Sequence, residues 1–154
     1  YSSVAAANLP LNLRTAYWGY TSTIALLIVA FLGPVLGAMA DFSGAKKKYL
    51  TRFVIMGVTG AALLFFVREG NWLMASLFYI LGNVGFSGAN VFYDSLLPHV
   101  ADEEERDQLS SRGYAFGYLG GGILLAVNLA MILLAPEDKT ALMSRLSFLM
   151  VAVW

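Results

Sequence analysis

The sequence predicts an all-α membrane protein, a polytopic bundle of about five transmembrane helices, from its composition and from where its charges lie. Of its 154 residues, 58% are hydrophobic and 13% are charged. A soluble domain carries about 25% charged residues, so this chain cannot cover a globule with polar side chains. No Asp, Glu, Lys or Arg occurs in 15–40, 70–93 or 113–136. Each of these runs exceeds the roughly 20 helical residues that cross a bilayer.

The composition also argues against several classes of function. The formal net charge is 0, which gives no electrostatic basis for binding nucleic acid. There is no cysteine and a single histidine, His99, so neither a thiolate site nor a multi-histidine metal site can form. No Ser/His/Asp set and no pair of mid-membrane carboxylates can be assembled. We therefore expect neither an enzyme nor a cofactor or metal.

The chain in order predicts spans at about 16–40, 49–67, 72–97, 112–135 and 141–154. The first opens with interfacial aromatics at Tyr17 and Trp18 and should kink at Pro34. The second reaches full length if Arg52 snorkels to the headgroups. The loop 98–111 should hold a short surface helix, because Asp102 and Glu105 have capping-box spacing.

The ends of the sequence predict a fragment. The chain opens on Tyr1 rather than methionine, and its last apolar run stops at Trp154. We therefore expect residues 1–154 to be part of one transmembrane domain, with the fifth span truncated. Basic side chains favour the cytoplasmic side of a membrane. Six of the ten lie in 41–52 and 98–112, so these two loops are expected in the cytoplasm.

The turn between the first two spans combines an acid, glycines and lysines; this gate loop comprises Gly37, Asp41, Gly44, Lys46, Lys47 and Lys48. One interpretation is that the lysines only hold this loop on the cytoplasmic side of the membrane. It leaves Asp41 and the two glycines unexplained. An acid at a helix end beside a glycine turn can hold a second helix end or an arginine, which suggests a breakable latch.

The third span carries a polar stripe, because Asn83, Ser87, Asn90 and Asp94 are spaced 4, 3 and 4 residues apart. Tyr79 extends this stripe outwards. Polar groups are costly in lipid, so the stripe should face a bundle interior or a water-filled cavity. Both a solute path and simple interhelical hydrogen bonding fit that position. Asn128 in the fourth span is a further path candidate.

Three other features have competing interpretations. We expect Asp94 to pair with Arg106 or Arg112 at the cytoplasmic helix ends. Gly113, Gly117 and Gly121 have the small-xxx-small spacing of helices in backbone contact. Arg145 in the fifth span either binds an anionic solute, snorkels, or pairs with another helix, and the last two are favoured.

The motif Gly37-x-x-x-Asp41-x-x-Gly44-x-Lys46 resembles the signature loop between the second and third helices of the major facilitator superfamily. Phe42 and Ala45 stand where that family usually has basic residues, and Lys47 and Lys48 follow. Residues 93–98, 111–121 and 145–154 resemble the vacuolar-effluxer-like (autophagy-related efflux) branch, with Asp94 in place of an expected asparagine.

The resemblance implies helices two to six of the N-terminal half of a twelve-helix secondary transporter that works by alternating access. Asp41 and the lysines would stabilise the outward-facing state through the other half. The implied partners are the bilayer, the rest of the transporter and a small solute, with or without a coupling ion. Amino-acid or related efflux is a candidate activity, and the bacterial inner (plasma) membrane is the expected location. The alternative is a non-transporting helical membrane protein, such as an assembly subunit or a receptor.

Overall fold

The computed structural model describes residues 1, 4–42 and 44–154 of the chain. Their architecture is all-α, as predicted, with no β-strand in the described ranges. Five helices follow one another in sequence: α1 (Leu11–Phe42), α2 (Lys46–Leu63), α3 (Trp72–Leu96), α4 (Arg106–Leu133) and α5 (Thr140–Val153). Single 3₁₀ turns extend α2 and α3 at their ends and precede α5.

Among the described residues, four helical segments are long and apolar enough to cross a membrane: Leu11–Phe42, Lys46–Phe66, Trp72–His99 and Arg106–Leu133. This agrees with an integral membrane bundle. The fifth helix has 14 residues. Two helices begin five or more residues before the predicted spans do, α1 at Leu11 and α4 at Arg106. The first of them follows Pro10, which suits a helix start because proline lacks the N–H that is unpaired there.

The prediction of a separate surface helix in the loop 98–111 is wrong. Residues 103–105 form a turn that leads directly into α4. The backbone N–H groups of Glu105 and Arg106 both donate to the carbonyl of Asp102, at 3.0 and 3.1 Å. Glu105 occupies the N-cap position without a side-chain capping bond. The turn therefore continues directly into a long helix, and no side-chain capping box starts a separate short one.

Helix α3 is the centre of the bundle, with α1 against one part of its surface and α2 against another. Helix α5 packs on α2 and α4. Near one end, Ala5, Val67 and Ala75 form a buried cluster. Near the other, Leu36, Ala40 and Phe92 form a second one.

Helices α2 and α3 meet at a glycine seam, which we define as Gly57, Gly60, Gly82 and Gly85. A Cβ added to Gly60 would lie 2.6 Å from the Gly82 nitrogen. A Cβ on Gly85 would lie 2.5 Å from the Cα of Gly57. Real Cβ atoms do not approach backbone this closely, so the seam brings the two helix backbones into direct contact.

Candidate functional site

One end of the bundle, which we call the lysine end, is where α1 turns into α2 and α3 leads to α4. There Lys46 Nζ donates a hydrogen bond of 3.2 Å to the backbone carbonyl of Ser95. Ser95 lies in the last turn of α3, where unpaired carbonyls favour a cation. Lys46 therefore joins the α1–α2 turn to the end of α3, whereas Lys47 and Lys48 are exposed.

The acid of the gate loop faces outwards. Asp41 is exposed, and no hydrogen bond or ion pair joins its carboxylate to another residue of 1, 4–42 or 44–154. A Cβ added to Gly37 or Gly44 would meet no atom of the described residues within 4 Å. The latch thus remains a prediction, and the surface that would carry its partner contact is open.

At the same end, Asp94 is joined to α4 by a tyrosine. The hydroxyl of Tyr114 donates to the Asp94 carboxylate, with distances of 3.2 and 3.4 Å to its two oxygens. Arg106 uses its Nε to donate to the carbonyl of Ala101 at 3.2 Å. The ion pair of Asp94 with Arg106 or Arg112 stays a prediction. Sequence reasoning missed Tyr114, although it stands two residues after Arg112.

The polar stripe does not line one cavity. Tyr79 and Asn83 line a cavity of about 420 Å³ between α2, α3 and α5. Asn83 Nδ2 donates to the carbonyl of Tyr79 at 3.3 Å. Ser87 instead lies in a crevice of about 20 Å³ against α1, and Asn90 is half-buried. The structure therefore brings Tyr79 and Asn83 together, apart from Ser87.

Asn128 is the buried polar residue of α4. It is 7% exposed, and its Oδ1 has no hydrogen-bond partner among the residues that the structure describes. An unsatisfied polar atom away from water is costly, more so in hydrocarbon. Ile132, one helical turn further along α4, lines a cavity at the end of the bundle opposite the lysine end. Asn128 lies on the same face of α4, one turn closer to the lysine end.

The glycines of α4 behave differently from the seam. A Cβ on Gly117 or Gly121 would meet nothing within 4 Å in the described part of the chain. One on Gly113 would lie 3.0 Å from the hydroxyl of Tyr93. The predicted backbone contact of this α4 glycine stripe (Gly113, Gly117, Gly121) therefore stays a prediction.

The opposite end, which we call the aromatic end, is held by contacts between tilted aromatic rings and one buried hydrogen bond. Ring centroids lie 4.6 Å apart in the pair Tyr17–Trp72 and 4.7 Å apart in Trp18–Tyr79. The hydroxyls of Thr21 and Ser76, both buried, are 2.7 Å apart. Sequence analysis singled out neither hydroxyl, because one Thr and one Ser within apolar runs carry no pattern.

Arg145 borders a second cavity, of about 340 Å³, at the aromatic end. Its Nε donates to the backbone carbonyl of Phe65 at 2.6 Å. Its guanidinium carbon lies 4.9 Å from the centroid of the Phe65 ring. Phe65 belongs to the 3₁₀ turn that ends α2, where carbonyls lack helical partners. The side chain of Arg145 thus joins α5 to the end of α2 through a backbone carbonyl of that end.

Comparison with known proteins gives matches over nearly the whole chain. The family model described as "Vacuole effluxer Atg22 like" matches residues 12–154. An uncharacterized MFS-type transporter of Bacillus subtilis, YxiO, is 41% identical over 99% of this chain. Autophagy-related protein 22 of Coccidioides immitis is 33% identical over 58% of the chain.

The chain spans 37% of the length of the Bacillus protein and 15% of the Coccidioides protein. An uncharacterized protein of Aquifex aeolicus is 34% identical over 74% of the chain, which covers 29% of that protein. No solved structure is significantly similar. The family match and the Bacillus relative agree with the family resemblance that the sequence motifs of the gate loop and of α3 to α5 indicate. The chain belongs to the Atg22-like vacuole effluxer family of the major facilitator superfamily.

Proposed function

We propose that the protein is a secondary transporter that moves a small solute across the membrane by alternating access. The observation that carries this proposal is the family match over residues 12–154, together with four span-length helices. The relative in Bacillus subtilis supports a bacterial plasma membrane as the location. In that membrane, 41–52 and 98–112 would face the cytoplasm.

In this proposal Asp41 is the gate latch. Its carboxylate is exposed at the end of α1, so it is free to accept a hydrogen bond or an ion pair from a part of the protein that moves. Lys46, by contrast, is bound to α3 and would keep the turn in place. The latch would therefore bias the conformational equilibrium toward the outward-facing state without a role in holding the fold.

Asn83 and Tyr79 are the proposed lining of the solute path. They are polar, lie in the middle and outer part of α3, and border a cavity of about 420 Å³. The face that they share is otherwise surrounded by apolar side chains of α2 and α5. Polar groups in such a position either contact water and solute or hydrogen-bond another helix.

The test needs no known substrate. In the whole protein with no other cysteine, Asn83→Cys is treated with a membrane-impermeant maleimide from each side of the membrane. Ile55→Cys, an exposed apolar position of α2, is the matched control in a helix of the same bundle. We expect Cys labelling at position 83 and none at position 55, because a thiol surrounded by lipid does not ionise and react.

The latch is tested by adding Asp41→Asn to Asn83→Cys. Loss of the carboxylate should lower labelling from the outer side and raise it from the cytoplasmic side, with membrane insertion unchanged. Labelling at position 83 that Asp41→Asn leaves unchanged would remove Asp41 from the gate. An inert thiol at position 83 on both sides would favour a non-transporting helical membrane protein.

A further inference from the structure

The cavity beside Arg145 has the chemistry of a binding site for an anion. Arginine carries five N–H donors on a permanently charged group. The described residues supply an acceptor for one of them, the carbonyl of Phe65 at 2.6 Å. The Nη donors have no hydrogen-bond or ion-pair partner in 1, 4–42 and 44–154.

The guanidinium is held in place rather than free to reach the headgroups. The Nε hydrogen bond fixes its plane, and the Phe65 ring packs against it at 4.9 Å. A snorkelling side chain would extend into water and keep its donors hydrated. Here the side chain is half-buried and borders the cavity. A charge that is fixed in this way near the apolar interior calls for a counter-charge.

The remaining wall of the cavity is mostly apolar. Leu64, Val67 and Phe148 line it, and the tilted rings of Trp18 and Tyr79 line another part. The hydroxyls of Ser144 and Ser147 already donate to backbone carbonyls of α5, at 2.9 and 2.7 Å. Its volume of about 340 Å³ is at the lower end of the range of roughly 300–1,000 Å³ for ligand pockets.

None of the described residues that line the cavity is acidic. An ammonium group would therefore find serine lone pairs there but no neutralising charge. A carboxylate, in contrast, would meet Arg145 with the bidentate geometry that arginine offers. The wall thus distinguishes a simple anion from an amino acid, which carries both charges.

We propose that Arg145 and the cavity beside it bind a small organic monoanion with an apolar body, such as a monocarboxylate, without requiring an amino group. This inference rests on the proposed transport function and names the class of solute. Arg145 would contact the anionic group, and the apolar wall would contact the remainder of the solute.

Three probes of one shape test the charge requirement. They are 3-phenylpropionate, its neutral amide 3-phenylpropanamide, and L-phenylalanine, which adds an ammonium group. Binding to the whole protein in lipid nanodiscs is measured by isothermal titration calorimetry. We expect the carboxylate to bind about tenfold or more tightly than the amide. A hydrogen bond to a charged group contributes about 1.4 kcal/mol more than a neutral one, and this difference corresponds to a factor of ten in affinity. L-phenylalanine should bind no more tightly than 3-phenylpropionate.

Variants assign the preference to Arg145. Arg145→Gln should remove the difference between the carboxylate and the amide, and Arg145→Lys should keep part of it. Arg68→Gln, an exposed arginine at the same end, is the matched control and should leave both affinities unchanged. A thermal unfolding curve for each variant separates lost binding from lost folding, and Arg145→Lys supports the test if Arg145→Gln does not fold.

Equal affinity for the carboxylate and its amide would overturn the proposal, as would a preference that survives Arg145→Gln. Absence of binding of 3-phenylpropionate would also overturn it. None of these three results bears on alternating access, which the labelling at position 83 tests without any ligand. Conversely, an inert thiol at position 83 together with Arg145-dependent binding would refute transport and leave an anion-binding protein.

Discussion

Two regions of the bundle have glycines about one helical turn apart in sequence and differ in the structure. The glycine seam of α2 and α3 brings backbones so close that a Cβ at Gly85 would lie 2.5 Å from Gly57 Cα. In the α4 glycine stripe, a Cβ at Gly117 or Gly121 would meet no described atom within 4 Å. The first region is a completed helix contact, and the second is a surface that could form one.

The difference shows what glycines about one helical turn apart do and do not predict. Glycines one turn apart give a helix a flat face that another backbone can approach. Whether another helix lies there depends on the tertiary arrangement. In a transporter, an open face of this kind is also suited to a partner that arrives and leaves, whereas a completed seam is suited to holding two helices as one rigid body.

The largest expected effect is at the completed seam. Gly85→Ala should destabilise the protein by about 1–3 kcal/mol, because the methyl group overpacks a backbone contact that can relieve it only by separating the helices. Gly82→Ala is the matched control on the same helix, where the added Cβ would lie 3.9 Å from the Ala61 nitrogen. Both changes raise helix propensity equally, so their difference measures the clash.

The measurement is the free energy of unfolding of the whole protein in mixed micelles, from titration with a denaturing detergent followed by far-UV circular dichroism. Gly82→Ala should remain within about 0.5 kcal/mol of the parent protein. Equal stability of the two variants would mean that α2 and α3 are not in backbone contact at Gly85, and the contrast with α4 would disappear.

A smaller effect is expected on the other side of α3, where a polar contact takes the place of glycine. Thr21→Val removes the buried hydrogen bond between Thr21 and Ser76, at 2.7 Å, and keeps the shape of the side chain. Such bonds between membrane helices contribute about 0.6 kcal/mol on average and up to about 1.7 kcal/mol. The same unfolding titration should therefore show a loss in that range.

Thr23→Val is the control for this contact, because Thr23 is exposed two residues away on the same helix. It should be neutral or slightly stabilising in lipid. If Thr21→Val and Thr23→Val behave alike, the Thr21–Ser76 bond does not contribute to holding α1 on α3, and the glycine seam alone would account for the stability around α3.

The spans could be predicted from the sequence because the bilayer imposes them. A run such as 70–93 lacks charge and has the length to cross, and α3 lies there whatever its neighbours are. Partners are another matter. Gly57 and Ala61 have the four-residue spacing of small residues that is typical of close helix contact, yet nothing in the sequence identifies Gly82 and Gly85 on the facing helix.

The same limit applies to the candidate site. The pairing of Asp94 with an arginine, expected because opposite charges attract, stays a prediction, whereas its hydrogen bond from the hydroxyl of Tyr114 follows no charge pattern. Arg145 contacts the backbone carbonyl of Phe65, and every residue type has a carbonyl, so no side-chain pattern could indicate it. Contacts that use backbone or single hydroxyl groups appear only when the helices are placed in space.

The smallest effect on stability is expected at the open stripe. Gly117→Ala adds a methyl group where the described residues leave space, so the unfolding free energy should stay within about 0.5 kcal/mol of the parent value. The informative readout is then conformational. If a moving helix packs on this face in one state of the transport cycle, the methyl group destabilises that state alone. Labelling of Asn83→Cys should accordingly shift between the two sides of the membrane when Gly117→Ala is added.

Gly120→Ala is the control for this change, because its Cβ would lie in ordinary contact at 3.5 Å from the Trp154 ring. It should leave the labelling unchanged. A large loss of stability in Gly117→Ala would instead mean that the stripe is a permanent contact with a part of the protein outside the described residues. Both glycine regions would then be permanent helix contacts, and they would differ only in which part of the protein they contact.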